Sequence, residues 1–252
     1  MTAPSVAQST PGASPIAGRV ALVTGAAGEL GSAICAALAG RGVRIAAADN
    51  RFDALHERTH GWAAGGATAI AVPLDLADER SVQAAFESTE SQLGMVDILI
   101  NNAGIDVTAP ITELSIADWD RVNAVNLRGP FLASRIAFER MQGRGGQVVN
   151  IVSTAAKRTW ANASVYHATK FGLLGLSHAL HVEGRPQGIR VTAVIAGGMR
   201  TPFLLDRFPD IDTETLQEPS AVADVVRFVL EQPAGSVIPE VMVLPMRETS
   251  WP

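Results

Sequence analysis

Tyr166 and Lys170 stand four residues apart in the run Tyr166-His167-Ala168-Thr169-Lys170. On a helix, side chains four apart rise from the same face, so a phenol and an ammonium project together. A free tyrosine ionises near pH 10 and is a poor base at neutrality; bringing it to about 7 takes roughly 4 kcal/mol. A unit positive charge about 4 Å away, at an effective dielectric near 20, supplies about that much. The pair is therefore expected to act as a general base in one direction and as a proton donor in the other. Other reactive side chains suggest less. The five histidines, at 56, 60, 167, 178 and 181, show no metal-ligand spacing beside carboxylates, so no metal is expected. Cys35 is the only cysteine, which excludes an internal disulfide; in its apolar run it reads as a small buried side chain.

A second group of residues suits a dinucleotide. The stretch Thr24-Gly25-Ala26-Ala27-Gly28-Glu29-Leu30-Gly31 follows an apolar run and opens a helical one. Glycine lets a backbone turn sharply and approach a phosphate with no Cβ in the way. The helix start then offers free N–H groups and about half a positive charge to a pyrophosphate. Asp49 ends the next apolar run, where a carboxylate accepts from the adenosine ribose hydroxyls and repels a 2′-phosphate. NAD(H) is thus preferred over NADP, although Arg51 close by is able to tolerate the phosphate.

These residues need a scaffold, and the apolar pattern supplies one. Buried strands are expected at Val20–Thr24, 43–48, 69–74, 96–100, 147–152, 189–195 and 237–244, and helices at 30–41, Glu79–Leu93, from 116 on toward Arg140, at 164–183 and at 221–230. Alternating strands and helices imply one α/β domain: a doubly wound parallel sheet with helices on both faces. Ligands of such sheets sit at the carboxyl ends of the strands, where strand order reverses. Residues 203–218 carry few signals of either kind and suit either a substrate lid or an ordinary surface excursion.

Further motifs sharpen this. Asp75-Leu76 follows the third strand, Asn101-Asn102-Ala103-Gly104 the fourth, and Ser153 closes the fifth. The chain from Ile16 to Leu244 resembles the short-chain dehydrogenase/reductase family, whose fold is Rossmann-type. The resemblance implies reversible hydride transfer between a nicotinamide cofactor and a secondary alcohol or ketone. It assigns acid/base work to Tyr166, the substrate oxygen to Ser153, a water of a proton relay to Asn126, and the nicotinamide ribose to Lys170. It places the pyrophosphate at Gly25, Gly28, Glu29, Leu30 and Gly31, and the adenosine half at Asp49, Asp75, Leu76, Asn102, Ala103 and Gly104. Gly197 and Thr201 fall to the nicotinamide, and relatives are commonly dimers or tetramers. Two positions depart from the pattern. The glycine spacing follows the family's longer, epimerase-like branch, and the compact branch usually has glycine where Glu29 stands. A carboxylate there repels a pyrophosphate unless it points away. The family's Pro-Gly after the sixth strand is Ala196-Gly197 here.

Composition sets the outer limits. Of 252 residues, 47% are hydrophobic and 18% charged, which supports a sizeable core. The net charge of −5 and the lack of a basic stripe argue against nucleic acid and anionic membranes as partners. No apolar run reaches the roughly 18 residues of a membrane span, and a cytoplasmic location is expected. Residues 1–17, rich in Ser, Pro and Ala, read as a flexible tail. A homo-oligomer is expected, with Phe171, Leu174 and Leu176 suited to burial in an interface or against the sheet, and residues 246–252, with Trp251, to docking on a neighbour. Lys157, Arg158 and Arg200 read mainly as solvated charge, with a role toward an anionic substrate as the alternative. A sugar-nucleotide epimerase or dehydratase and a non-catalytic dinucleotide sensor remain the competing readings.

Overall fold

Seven short runs rich in Val, Ile and Ala form seven parallel strands of one sheet in the computed structural model, which describes residues 14–248. The strands are β1 (Val20–Thr24), β2 (Arg44–Asp49), β3 (Ala69–Pro73), β4 (Ile98–Asn101), β5 (Gly146–Ser153), β6 (Ile189–Ala196) and β7 (Glu240–Val243), in spatial order β3-β2-β1-β4-β5-β6-β7. Chain order reverses between β1 and β4, which pair directly. Because every strand is parallel, all carboxyl ends share one edge, and the loops that follow them converge there.

Alternation along each strand divides the core into two layers. Ala21 and Val23 of β1, with Ile45 and Ala47 of β2, pack on one face among Ile34, Leu38 and Val226. Val20 and Leu22, with Ala46 and Ala48, pack on the other among Val82, Phe86, Leu132 and Ile136. The first face is covered by α1 (Glu29–Ala39), α2 (Phe52–Ala64) and α8 (Pro219–Leu230), the second by α3 (Glu79–Leu93), α5 (Gly129–Met141) and α6 (Ser164–Gly184), with the shorter α4 (Ile116–Asn123) against α6. The doubly wound fold expected from the apolar pattern is present.

Three local differences matter. Helix α2 carries no expectation from the sequence because it buries only Leu55 and Thr59, too thin a stripe to register as a period. The expected continuous helix from 116 toward 140 is broken by a π-helical turn over Ala124–Arg128. Of the segment 1–17 read as a tail, residues 1–13 lie outside the described residues, whereas Ile16 is fully buried in the core. At the other end, residues 249–252, with Trp251, also lie outside them.

Candidate active site

The crevice begins where β1 and β4 end side by side. Thr24 joins their turns: its hydroxyl donates to the Ile100 carbonyl (3.3 Å) and accepts from the backbone N–H of Asn102 (3.0 Å) and Ala103 (3.1 Å). Asn102 returns the contact, its Nδ2 donating to the carbonyls of Thr24 (2.9 Å) and Gly25 (3.2 Å). Gly25 has φ of 68°, and a Cβ there would stand 2.7 Å from the Ala103 Cα. Only glycine lets the two turns meet this closely. Gly28 then caps α1 and has no side chain to fill its N-terminal amides, and Leu30 and Gly31 of the first turn are buried. This is a cradle fitted to a pyrophosphate: open amides, a positive helix end and no obstructing Cβ.

Glu29 does not spoil the cradle. Its Oε1 accepts from Arg58 of α2 at 2.8 Å, so the carboxylate is neutralised. Asp49 is buried, and its Oδ2 accepts from the Ala27 N–H (3.0 Å) while Oδ1 accepts from the Arg51 N–H (2.9 Å) and Nε (3.3 Å). Each carboxylate oxygen has two acceptor sites, so Oδ2 keeps one that could take a hydroxyl donor. After β3, Leu76 is buried, whereas the exposed Asp75 carboxylate accepts from the Ala77 N–H (2.9 Å) and braces its own turn.

Beneath the crevice a polar chain locks the layers together. Asn101 donates to Asn150 Oδ1 (2.8 Å) and Ser134 Oγ (3.1 Å), and Asn150 donates to Ser177 Oγ (2.8 Å). These bonds tie β4 to α5, to β5 and onward to α6, the helix that carries Tyr166 and Lys170.

The catalytic candidates gather at the ends of β4 and β5. Tyr166, the only tyrosine in the chain, is 9% exposed, and its hydroxyl is hydrogen-bonded to the Ser153 side chain. Ser153 Oγ also accepts from the Ala155 N–H (3.1 Å), so the residue caps the turn after β5 and faces the phenol at once. Lys170 is buried, and its Nζ donates to the Ile151 carbonyl (3.0 Å) and lies 5.7 Å from the Tyr166 ring centroid. The π-helical turn directs Asn126 inward. Its Nδ2 donates to the Ile105 carbonyl (2.7 Å) and Thr169 Oγ1 (3.2 Å), and its Oδ1 accepts from the Ile105 N–H (2.8 Å). A Cβ on Gly104 would lie 3.6 Å from Asn126 Oδ1 and 3.7 Å from Lys170 Nζ, so this glycine keeps a gap between them.

Burial adds an influence on the pair that residue spacing alone does not reveal. Burial pushes the Tyr166 phenol up to about 12 and the Lys170 ammonium down to about 8. Burial thus works against the charged form of both groups, so the spacing of the pair does not by itself bring the phenol down. The charges that do act on the phenol are Asp106, which raises it, and Arg207, which lowers it, while the Ser153 hydrogen bond also lowers it.

On the remaining side of the crevice, Gly197 follows β6 and donates to the Val243 carbonyl (2.9 Å). Thr201 is buried at the start of α7 (Pro202–Leu205), with its hydroxyl not engaged in capping that helix. The segment from 203 onward leans over the site: the Phe203 ring lies 6.0 Å from that of Tyr166, and Arg207 stacks on Phe203 at 3.8 Å. Arg207 also meets Asp106 at 2.8 Å. Neither Asp106 nor Arg207 was singled out by the sequence; the available signal for Asp106 was its place two residues past the Asn-Asn-Ala-Gly turn. The cations that were singled out are occupied elsewhere. Lys157 binds Glu240 (2.7 Å), Arg200 binds Glu218 (3.0 Å) and Glu214 (3.5 Å), and Arg158 lies over Trp160 (5.6 Å). Among the described residues no cluster of His, Cys, Asp and Glu suits a metal, and no helix is long and apolar enough to cross a membrane.

Comparison with known proteins agrees with this fold. Residues 19–212 match the model of the short chain dehydrogenase family. The chain is 40% identical over 190 residues to a D-threitol dehydrogenase of Mycolicibacterium smegmatis, covering 70% of this chain and 68% of that one. Among solved structures it resembles an alcohol dehydrogenase of Thermococcus sibiricus complexed with 5-hydroxy-NADP (TM-score 0.86, 25% identity, 92% of this chain and 99% of that one). It also resembles a 3-ketoacyl-(acyl-carrier-protein) reductase of Brucella melitensis complexed with NADH (TM-score 0.85, 30% identity, 92% and 99%). With the family model matched over residues 19–212 and relatives of this identity and coverage, the chain belongs to the short-chain dehydrogenase family.

Proposed function

We propose that the chain catalyses reversible hydride transfer between NAD(H) and a secondary alcohol or ketone, with Tyr166 as general acid/base. The observation that carries this reading is the buried Tyr166 hydroxyl bonded to Ser153, with Lys170 one helical turn away, beside the glycine turn of β1. Bound nicotinamide supplies the hydride acceptor or donor and, when oxidised, one positive charge. Ser153 holds the substrate oxygen by a hydrogen bond and stabilises charge that develops there. In oxidation the Tyr166 oxygen takes the hydroxyl proton as the carbinol C–H bond breaks and the C=O bond forms; in reduction it returns that proton. A positive charge held beside Tyr166 would offset the burial that keeps the phenol protonated in the free protein. Lys170 grips the ribose, and the gap beside Gly104 between Asn126 and Lys170 suits the water of a proton relay.

Asp49 favours NAD(H) over NADP, because a 2′-phosphate would meet a buried carboxylate. Arg51 bonded to that carboxylate softens the preference. A homo-oligomer, dimer or tetramer, accompanies this reading, since Phe131 and Phe171 stand exposed on neighbouring helices. The test is a screen of secondary alcohols and ketones with each cofactor, followed by nicotinamide absorbance. Turnover faster with NAD(H) is expected; tight cofactor binding with no net turnover of any member points instead to a sensor or to an epimerase-like cycle.

A further inference from the structure

Asp106 is the least explained charged group near Tyr166. Its side chain is 8% exposed, and its Oδ2 pairs with Arg207 at 2.8 Å. Its other oxygen, Oδ1, is buried with no hydrogen-bond partner. A buried carboxylate oxygen left unpaired is unfavourable, and a donor that arrives with a ligand removes that penalty. The carboxylate lies close enough to Tyr166 and Lys170 for its charge to act on both. Its partner Arg207 stacks on Phe203 at 3.8 Å, and that ring lies 6.0 Å from Tyr166, so the carboxylate belongs to the side-chain layer next to the phenol.

We propose that Asp106 is a specificity-determining residue that accepts a hydrogen bond from a second hydroxyl of the substrate, next to the one oxidised, so that the site selects vicinal diols and polyols. The proposal rests on the functional reading above. The charge balance favours a neutral hydroxyl over an anion. Arg207, the cation nearest to Phe203 above Tyr166, is already matched by Asp106, so a carboxylate or phosphate arriving there would meet the free carboxylate oxygen. A hydroxyl donates to that oxygen without a charge conflict, and a site built to bond a hydroxyl rejects the analogue that lacks it. Arg207 has a separate part: it latches residues 203–207 over the loop after β4.

The experiment compares kcat/KM for 2,3-butanediol and threitol with that for 2-butanol and 3-hydroxybutyrate, in the wild type, Asp106→Ala, Asp106→Asn and Arg207→Met. NADH binding is measured for each variant to show that the site is folded. The wild type is expected to prefer the diols by about tenfold or more, the size of a hydrogen bond to a charged group. Asp106→Ala should erase most of that preference, and Arg207→Met, which opens the latch but keeps the carboxylate, should weaken all the alcohols together. Equal use of diol and mono-alcohol, better use of 3-hydroxybutyrate, or the same loss of preference in both Asp106→Ala and Arg207→Met would overturn the assignment. No turnover of any of these alcohols by the wild type, with either cofactor, would overturn the functional reading and this inference with it.

Discussion

The two halves of the crevice are built by different means. The half proposed to take the cofactor is made of backbone. Gly25 meets Ala103 face to face, and Thr24 and Asn102 join the β1 and β4 turns through four hydrogen bonds to main-chain atoms within one small area. The half proposed to take the substrate is made of long side chains, with Arg207 reaching Asp106 across 101 residues of sequence and Phe203 leaning toward Tyr166. A backbone cradle fixes one ligand shape, whereas a clasp of side chains on an irregular segment opens and can be re-cut for different substrates. Tyr166 and Ser153 sit at the seam between the two.

The largest effect is expected at that seam. Tyr166→Phe removes the proton carrier and leaves both halves packed, so turnover should fall by about 10²–10⁴-fold, the usual worth of general acid–base catalysis. NADH binding should stay close to wild type. Wild-type rates in this variant would remove Tyr166 from the mechanism. Because Tyr166 is the only tyrosine, tyrosinate difference absorbance reads its ionisation alone. In the cofactor-free protein the phenol should stay protonated until the pH approaches 12, and NAD⁺ should move its ionisation downward. The sign for stability follows from the same shift. A pKa raised from 10 to about 12 on folding gives stability that is complete below pH 10 and lost as pH rises through 12. Lys170 runs the other way: lowered from 10.5 to about 8, it favours the folded state above pH 10.5 and loses that contribution as pH falls through 8. A Tyr166 midpoint at or below 10 in the free protein would show that the phenol is not held by burial.

A test of the cradle comes next. Gly25→Ala puts a Cβ against the Ala103 backbone, at a φ of 68° that side chains resist. A loss of about 1–3 kcal/mol of stability is expected, as at other strained backbone positions. Thermal unfolding measures it, and cofactor affinity should fall in parallel, since the same turn is proposed to face the pyrophosphate. A variant as stable as wild type would mean that the two turns part without penalty.

The contrast between the halves also explains what the sequence revealed. Backbone devices leave local marks: glycines at 25, 28 and 31, an acid at 49, and a four-residue turn at 101–104 are visible without a structure. So is the Tyr166–Lys170 spacing. The strength of their coupling is not, because it depends on how deeply both are buried, and burial pushes the phenol up and the ammonium down. The π-helical turn at Ala124–Arg128 leaves no periodic mark in its five residues, yet it sets Asn126 against Ile105. The Asp106–Arg207 pair was illegible for a plainer reason. Neither residue lies in a periodic element, and nothing local says that residues 101 apart will meet.

The preference between NAD(H) and NADP(H) bears on the rim of the cradle. Asp49→Ala removes the buried carboxylate and frees Arg51 to meet a 2′-phosphate. The ratio of kcat/KM values for the two cofactors should shift toward NADP(H) by about tenfold, roughly the worth of one charge-assisted hydrogen bond. An unchanged ratio would assign the reading of the ribose to another group.

The smallest effect tests whether Glu29 needs its neighbour. The Arg58–Glu29 pair is short, at 2.8 Å, but its side chains are 34% and 46% exposed, and such surface pairs contribute about 0–1 kcal/mol. Arg58→Ala should therefore barely move stability. It should, however, leave a bare carboxylate in the first turn of α1, where the pyrophosphate is proposed to sit. NADH affinity should weaken by about two- to fivefold at low salt, with the loss shrinking as salt screens the repulsion. Adding Glu29→Gln to Arg58→Ala should restore the affinity, because the charge itself is then gone. If Arg58→Ala alone leaves affinity unchanged at low salt, the Glu29 carboxylate stands clear of the pyrophosphate unaided. Its tolerance at a position usually held by glycine would then be a matter of direction rather than of pairing.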